Sequence, residues 1–259
     1  MAKHFRMQME YLKIAIHTAL EYRTNFLIQV ISMFLNDVVW VVFWLIFFTR
    51  FQTVNGWNFQ DMLVLYTVIT IAFGLSGVFF GNRAAIAGMI VEGKLDYYLT
   101  LPKNILYHVL VSRVSWFDLG DIVFGVVLAL FFVPPIKWPL LLILTILSMI
   151  IIVAFGVIVG SLAFFMGNAE DFSKKFFDGL IGFASYPLTI YRGFIRFLVL
   201  VIVPAGFVTG IPVMLLKEFN WQMFFLMVGF TVLISVIAIG VFYWGLKRYE
   251  SGNLMNVRT

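Results

Sequence analysis

The segment Gly88-Met-Ile-Val-Glu-Gly93-Lys94 is the first place where residue types and spacing suggest chemistry, because it matches the outline of a phosphate-binding loop. Such a loop holds phosphates with backbone N–H groups and needs Ser or Thr after the lysine to bind Mg²⁺. Leu95 occupies that position, and no strand-like run precedes Gly88. We therefore expect this chain to bind no cofactor and no nucleotide, so that any nucleotide chemistry must come from another chain.

Ser76, in the segment Gly74-Leu-Ser-Gly77, is similar to the nucleophile of rhomboid intramembrane proteases. A serine nucleophile needs a histidine base within hydrogen-bond reach. The chain contains three histidines, His4, His17 and His108, and all lie outside its long apolar runs. The spacing of Gly74, Gly77 and Gly81 instead favours close helix packing, as does that of Gly156 and Gly160. The chain is therefore not predicted to be an enzyme.

Four aspartates lie within or at the ends of apolar runs, at Asp37, Asp61, Asp118 and Asp121. An ionisable side chain inside a membrane protein is a functional hypothesis by default. Asp61, Asp118 and Asp121 lie near the ends of runs, where a structural role is expected, whereas Asp37 lies deepest and either binds a substrate or ion or pairs with a neighbouring helix. The residues that could line a polar pathway are Asn36, Asp37, Asp118, Asp121, Arg192 and Arg196. No grouping of histidines and acidic residues indicates a metal site.

Composition identifies the class of protein that must position these residues. Of 259 residues, 62% are apolar and 12% are charged, and the mean hydropathy is +1.00; soluble domains have about 45–50% apolar and about 25% charged residues. Cysteine is absent, which excludes disulfides and thiolate metal sites. The net charge of +5 comes from scattered basic residues, which excludes a nucleic-acid surface and indicates contact with membrane lipids.

The apolar runs predict an all-α membrane protein with six transmembrane helices, judged against the roughly 20 residues that cross a bilayer. The spans are predicted at residues 26–48, 62–80, 117–133, 140–166, 176–186 and 221–246, the third as the outer part of a longer helix that begins near Asn104. Pro187, Gly206, Gly210 and Pro212 interrupt residues 187–217, so we expect a re-entrant helical hairpin there.

Residues 1–24 precede the first span and predict an amphipathic helix that lies in the membrane interface. Phe5, Met9 and Leu12 recur on one face, while Arg6 and Glu10 occupy the other. The chain therefore divides into an interfacial helix, residues 1–24, and a six-span domain, residues 25–259.

The distribution of Lys and Arg predicts the orientation of the six spans. With the N-terminus inside, the inner segments hold Lys3, Arg6, Lys13, Arg23, Arg83, Lys94, Lys103, Arg113, Lys174, Lys175, Lys247, Arg248 and Arg258. The outer segments then hold Arg50, Lys137, Arg192, Arg196 and Lys217. This excess places both termini, and the segments 83–113 and 167–175, in the cytosol.

The segment 83–113 is too charged to lie in lipid, where each Arg, Lys or Asp costs about 2.5–3.5 kcal/mol at the bilayer centre. Within it, residues 89–101 predict one short helix that ends at Pro102. Leu95, Tyr98 and Leu99 share a face of that helix, and the charged residues Glu92, Lys94 and Asp96 are expected to face solvent. An amphipathic helix projected from a membrane domain suits contact with a soluble partner.

Together these features resemble the membrane subunit of a type-2 ABC (ATP-binding cassette) transporter. The resemblance covers nearly the whole chain, but only two parts of it are specific. They are Glu92-Gly-Lys-Leu-Asp-Tyr-Tyr-Leu-Thr-Leu-Pro102 in the first cytosolic loop and Tyr186-Pro-Leu-Thr-Ile-Tyr191, followed by Ile211-Pro212, before the last span. The chain is most similar to the branch of small permeases that export drugs or antibiotics.

This resemblance implies a bacterial cell-membrane permease that works with a second permease, identical or paralogous, and with two cytosolic ABC ATPase subunits. The implied main ATPase contact, the coupling helix, comprises Met89, Ile90, Glu92, Gly93, Lys94, Leu95, Asp96, Tyr97, Tyr98, Leu99 and Pro102. The implied second cytosolic contact comprises Glu170, Asp171, Lys174 and Lys175. Two alternatives stay open, an energy-independent channel or secondary carrier and a membrane scaffold protein. An adjacent ATPase gene would favour the transporter.

Overall fold

The computed structural model describes residues 2–166 and 169–249, with side chains from Arg6 onward. Twelve α-helices occupy these ranges: α1 (Ala2–Glu21), α2 (Arg23–Arg50), α3 (Phe59–Phe79), α4 (Ile86–Val91), α5 (Leu95–Leu99), α6 (Ile105–Val111), α7 (Leu119–Phe132), α8 (Trp138–Ser161), α9 (Ala169–Ala184), α10 (Gly193–Phe197), α11 (Ile211–Lys217) and α12 (Trp221–Leu246). Within these ranges, strand-like pairing is limited to one bridge between Val54 and Trp57. The all-helical class is therefore confirmed for this part of the chain.

Some predictions fall outside the described residues. They concern residues 167–168 of the second cytosolic segment, the C-terminus with Arg258, and the side chains of Lys3 and Phe5.

Four helices are long and apolar enough to cross a membrane within the described ranges: α2, α3, α12, and α8 together with its flanking turns. The segments Gly193–Ile202 and Gly206–Lys217 meet the same test as a pair, with a bend of 79° between them. The chain is thus a multi-pass membrane protein with four candidate spans, or five if the bent pair is one span. Six full spans are not confirmed, and the re-entrant hairpin remains a prediction.

The third predicted span, residues 117–133, corresponds to α7, but the longer helix predicted to begin near Asn104 does not form. The chain leaves the helical path between Val111 and Leu119. Asn82 stabilises the end of α6, since its side-chain amide donates to the carbonyl of Val109 at 2.8 Å and to Oγ of Ser112 at 2.9 Å. The N–H of Gly81 also donates to the carbonyl of Arg113 at 3.1 Å. The remaining helix α7 has 14 residues, or about 21 Å, against a hydrocarbon core of about 30 Å.

Helix α3 is the centre of the bundle and packs against α2, α7 and α8. In the most apolar stretch of α3, 78% of the residues are buried. The corresponding stretches of α2 and α12 have 11% and 22% of their residues buried. Helices α2 and α12 therefore lie at the periphery, with most of their apolar side chains turned outward.

Glycines allow the helices around α3 to approach closely, as the small-residue spacing predicts. A Cβ atom at Gly74 would lie 2.5 Å from Cγ1 of Ile122 in α7. A Cβ atom at Gly81 would lie 2.4 Å from the carbonyl oxygen of Arg113. The predicted packing role of this glycine face is confirmed.

Candidate functional site

A polar cavity of about 200 Å³ lies inside the helical domain, between α2, α3, α7 and α9. The polar residues in its wall are Asn36, Asp37, Tyr66, Thr70, Arg83, Asp118, Asp121 and Ser185. Asn36 is exposed at the mouth, and Asp37 and Asp121 are buried. The structure therefore brings together four of the six predicted pathway residues, although they come from separate helices.

Arg83 and Asp118 form a buried ion pair in the cavity wall, with Nη2 of Arg83 3.0 Å from Oδ2 of Asp118. The guanidinium also lies over the ring of Phe177 in α9, 5.8 Å from its centroid. A buried ion pair requires such close geometry, because each ion loses several kcal/mol of hydration. The expected structural role of Asp118 is consistent with this pairing.

Asp37 from α2 and Asp121 from α7 meet in the wall of the cavity. They are only 5% and 3% exposed, and the two carboxyl groups are close enough to hydrogen-bond. Oδ2 of Asp37 and Oδ1 of Asp121 nevertheless have no hydrogen-bond partner among the described residues. Buried polar atoms normally have partners, so these two oxygens are unusual.

Arg192 and Arg196 do not join this site. Both side chains are exposed, Arg192 directly before α10 and Arg196 within it. Neither lines the cavity. They lie apart from the four cavity residues, and their place in a polar pathway stays a prediction.

The segment predicted as one coupling helix is two short helices, because the chain turns at Gly93. Gly93 has φ +72°, a conformation that glycine adopts without strain. The N–H of Lys94 donates to the carbonyl of Met89 at 2.9 Å, and the N–H of Gly93 donates to that of Ile90 at 3.2 Å. This Schellman motif ends α4 and starts α5 in a new direction.

Burial divides the predicted coupling residues into anchors and surface. Met89, Ile90 and Leu95 are buried inside this chain, and Asp96 and Tyr98 are partly buried. The expectation that Leu99 shares the inner face of Leu95 is wrong, since Leu99 is exposed. We call the exposed set the loop surface; it comprises Glu92, Lys94, Tyr97, Leu99 and Pro102. A partner protein can reach the loop surface but not the anchors.

The second predicted contact segment lies beside the first. Helix α9 packs against α4, and the carboxylate of Glu170 lies over Gly88, where a Cβ atom would be 3.0 Å from its Oε1. Asp171, Lys174 and Lys175 are exposed on the same helix. The two segments are therefore neighbours in the structure.

Contacts between α1 and α6 are a feature that the sequence reasoning missed. The hydroxyl of Tyr11 lies 2.6 Å from Nε2 of His108, and the hydroxyl of Tyr107 donates to Oε1 of Gln8 at 2.8 Å. Burial, and then the nearby Lys103 charge, lowers the pKa of His108. The signal in the sequence is weak, namely a tyrosine within an amphipathic helix and a lone histidine among apolar residues.

A family model for ABC-2 family transporter proteins matches residues 34–252. The chain belongs to the ABC-2 transporter family. No curated protein and no solved structure matches it. The match includes the cavity residues from Asp37 to Asp121, the loop surface and α12, so both candidate sites lie within the ABC-2 region of the protein.

Proposed function

We propose that this ABC-2 protein is the permease subunit of an ATP-driven exporter in the bacterial cell membrane, with both termini in the cytosol. It forms the translocation pathway with a second permease, identical or paralogous. Two separate cytosolic ABC ATPases, which bind ATP and Mg²⁺, drive it. Family membership supports a permease, and the excess of Lys and Arg in the loop segments supports the orientation.

The loop surface is the observation that carries ATPase coupling. Tyr97 is 62% exposed and Leu99 43%, beside the ion pair of Lys94 and Glu92. Their helix is fixed from below by Leu95, which is fully buried. Exposed aromatic and aliphatic side chains on a rigid base, with charges around them, are typical of protein interfaces.

The packing of α4 provides a route from the loop surface to the cavity. Ile86 in α4 lies against α8, where a Cβ atom at Gly160 would be 2.7 Å from Cβ of Ile86. The carbonyl of Arg83, just before α4, lies against Gly156 in the same way, at 2.3 Å. A movement of the loop surface would therefore be transmitted through α4 and its packing on α8 to Arg83. Arg83 forms the ion pair with Asp118 in the cavity wall. Shifting an equilibrium between two conformations of the permease almost completely from one to the other takes about 5.5 kcal/mol of differential binding. ATP-driven closure of the ATPase subunits could supply this free energy.

The proposal is tested with Tyr97→Ala and Leu99→Ser in a tagged permease that is purified with its ATPase. Both variants should lower the amount of ATPase retained and lower ATP-dependent transport at least several-fold, with the permease still folded. Tyr22→Ala is the matched control, because Tyr22 is 59% exposed but lies at the junction of α1 and α2. If both loop variants retain ATPase and transport as well as the control does, the proposal is rejected.

The paired carboxyl groups of Asp37 and Asp121 favour one other function, that of an energy-independent carrier. Such carriers use buried ionisable residues near the membrane midplane. Transport by the permease alone in proteoliposomes, without an ATPase or ATP, would support the carrier and contradict the exporter.

A further inference from the structure

We propose that the cavity binds a small organic cation, with an ammonium group against the paired carboxyl groups of Asp37 and Asp121 and an apolar ring against the aromatic wall, and that such cations are the substrate class. The second part of this proposal rests on the transport function proposed above. The first part concerns binding alone and stands on the geometry of the cavity.

Charge in the cavity is unbalanced. Arg83 is the one basic side chain among the described residues that line it, and its guanidinium already pairs with Asp118 at 3.0 Å. Asp37 has no basic neighbour among the described lining residues, and the one basic side chain near Asp121 is Arg83, which is already paired with Asp118. A cationic guest would therefore supply the charge that the protein itself does not provide.

The hydrogen-bonding capacity left over at the two aspartates also favours a cationic ligand. Oδ2 of Asp37 and Oδ1 of Asp121 lack partners although both side chains are more than nine-tenths buried. An ammonium group carries two or three N–H donors and can satisfy both oxygens at once, and charge-assisted hydrogen bonds of this kind are the stronger ones. A neutral alcohol has a single donor and no charge.

The rest of the wall suits an organic group. Trp40, Tyr66 and Phe73 line the cavity, and aromatic faces attract cations within about 6 Å. The volume of about 200 Å³ equals the liquid volume of about six or seven waters, which fits an amine with one ring.

A metal ion fits less well. The described residues contain no group of three or more His, Cys, Asp or Glu side chains arranged to hold a metal. The aromatic side chains of Trp40 and Phe73 offer no ligand atom. The carboxyl pair and the aromatic wall together favour an organic cation.

The test uses the purified full-length permease in lipid nanodiscs, without ATPase or ATP. The probe is 2-phenylethylamine, which is protonated at neutral pH, and 2-phenylethanol is its neutral analogue. Ligand-observed NMR should detect binding of the amine, at least ten-fold tighter than that of the alcohol. Asp37→Asn and Asp121→Asn should each weaken amine binding at least ten-fold, and Trp40→Leu several-fold.

Asp178→Asn is the matched control, because Asp178 is exposed in α9 and its loss changes the net charge equally. Equal affinity for amine and alcohol, or unchanged amine binding in the Asp37 and Asp121 variants, would overturn the proposal. Since Trp40 is already partly exposed, its variant gives a readout even if an aspartate variant does not fold. Failure of binding while ATPase retention stays intact would reject the cation site alone.

Discussion

The carboxylate of Asp118 occupies the space that a side chain at Gly77 would fill. A Cβ atom at Gly77 would lie 1.5 Å from Oδ2 of Asp118, the atom that pairs with Arg83. The smallest residue of α3 at this level thus permits the ion pair at the start of α7. The packing of α3 and the electrostatics of the cavity depend on the same atom.

Gly77→Ala should therefore destabilise the protein. The added methyl group must displace the carboxylate or separate α3 from α7, and overpacking of this kind costs about 1–3 kcal/mol. Thermal unfolding in detergent measures the loss. Gly229→Ala in α12 is the control, since nothing lies within 4 Å of its Cβ position, and there alanine should be neutral or stabilising. Equal unfolding temperatures for both variants would contradict the packing described.

Replacing one partner of the ion pair between Arg83 and Asp118 should lower the stability of the protein more than replacing both partners. Arg83→Met or Asp118→Leu alone leaves a buried charge without its partner, at a cost of about 3–5 kcal/mol. The double variant should recover a large part of that loss. A double-mutant cycle on unfolding temperature decides the point, and strictly additive effects would show that the two charges do not interact.

Lowering the pH should weaken the attachment of α1. The pKa of His108 is lowered from its ordinary 6.5, by burial and then by the Lys103 charge. The unfolded chain therefore binds the proton more readily than the folded chain does. The contribution of neutral His108 to the free energy of unfolding is thus fully present above pH 6.5, and it is lost as the pH falls toward the lower pKa of the folded protein. The drop in unfolding temperature between about pH 7.5 and 5.5 should be larger in the wild type than in His108→Gln. His17→Gln, at an exposed site on α1, should retain the wild-type response; a wild-type response in His108→Gln too would refute this role.

Gly93→Ala should strain the turn between α4 and α5. A non-glycine residue at φ +72° costs about 1–2 kcal/mol, and asparagine should be tolerated better than alanine. Stability and ATPase retention should fall together for Gly93→Ala. Gly182→Ala in α9, where nothing lies within 4 Å, should change neither. Full ATPase retention by Gly93→Ala would show that the turn at Gly93 is not needed for binding the ATPase.

The long apolar helices could be predicted from the sequence because their boundaries are local. The last span, predicted at residues 221–246, is α12, Trp221–Leu246. Its limits follow from Asn220, which caps Met223, and from Lys247 and Arg248 after the apolar run. The turn at Gly93 also has a local signal, since Gly followed by Lys is typical of a helix C-terminus.

The remaining features depend on contacts between distant residues. Helix α6 ends where Asn82, 27 residues away, bonds Val109, and no pattern in residues 104–133 reveals that bond. The meeting of Asp37 with Asp121 likewise requires the packing of α2 on α7. Each carboxylate could be identified as unusual from the sequence, but their pairing could not.

The central claim is that the loop surface binds a separate ATPase inside the cell. The most direct measurement is photo-crosslinking in intact cells from a photoreactive amino acid at position 97, with mass spectrometry of the adduct and position 22 as the control. We expect an adduct with an ABC ATPase from position 97 and none from position 22. Recovery of no ATPase from position 97, or labelling of that position by a membrane-impermeant reagent added outside the cell, would contradict the account.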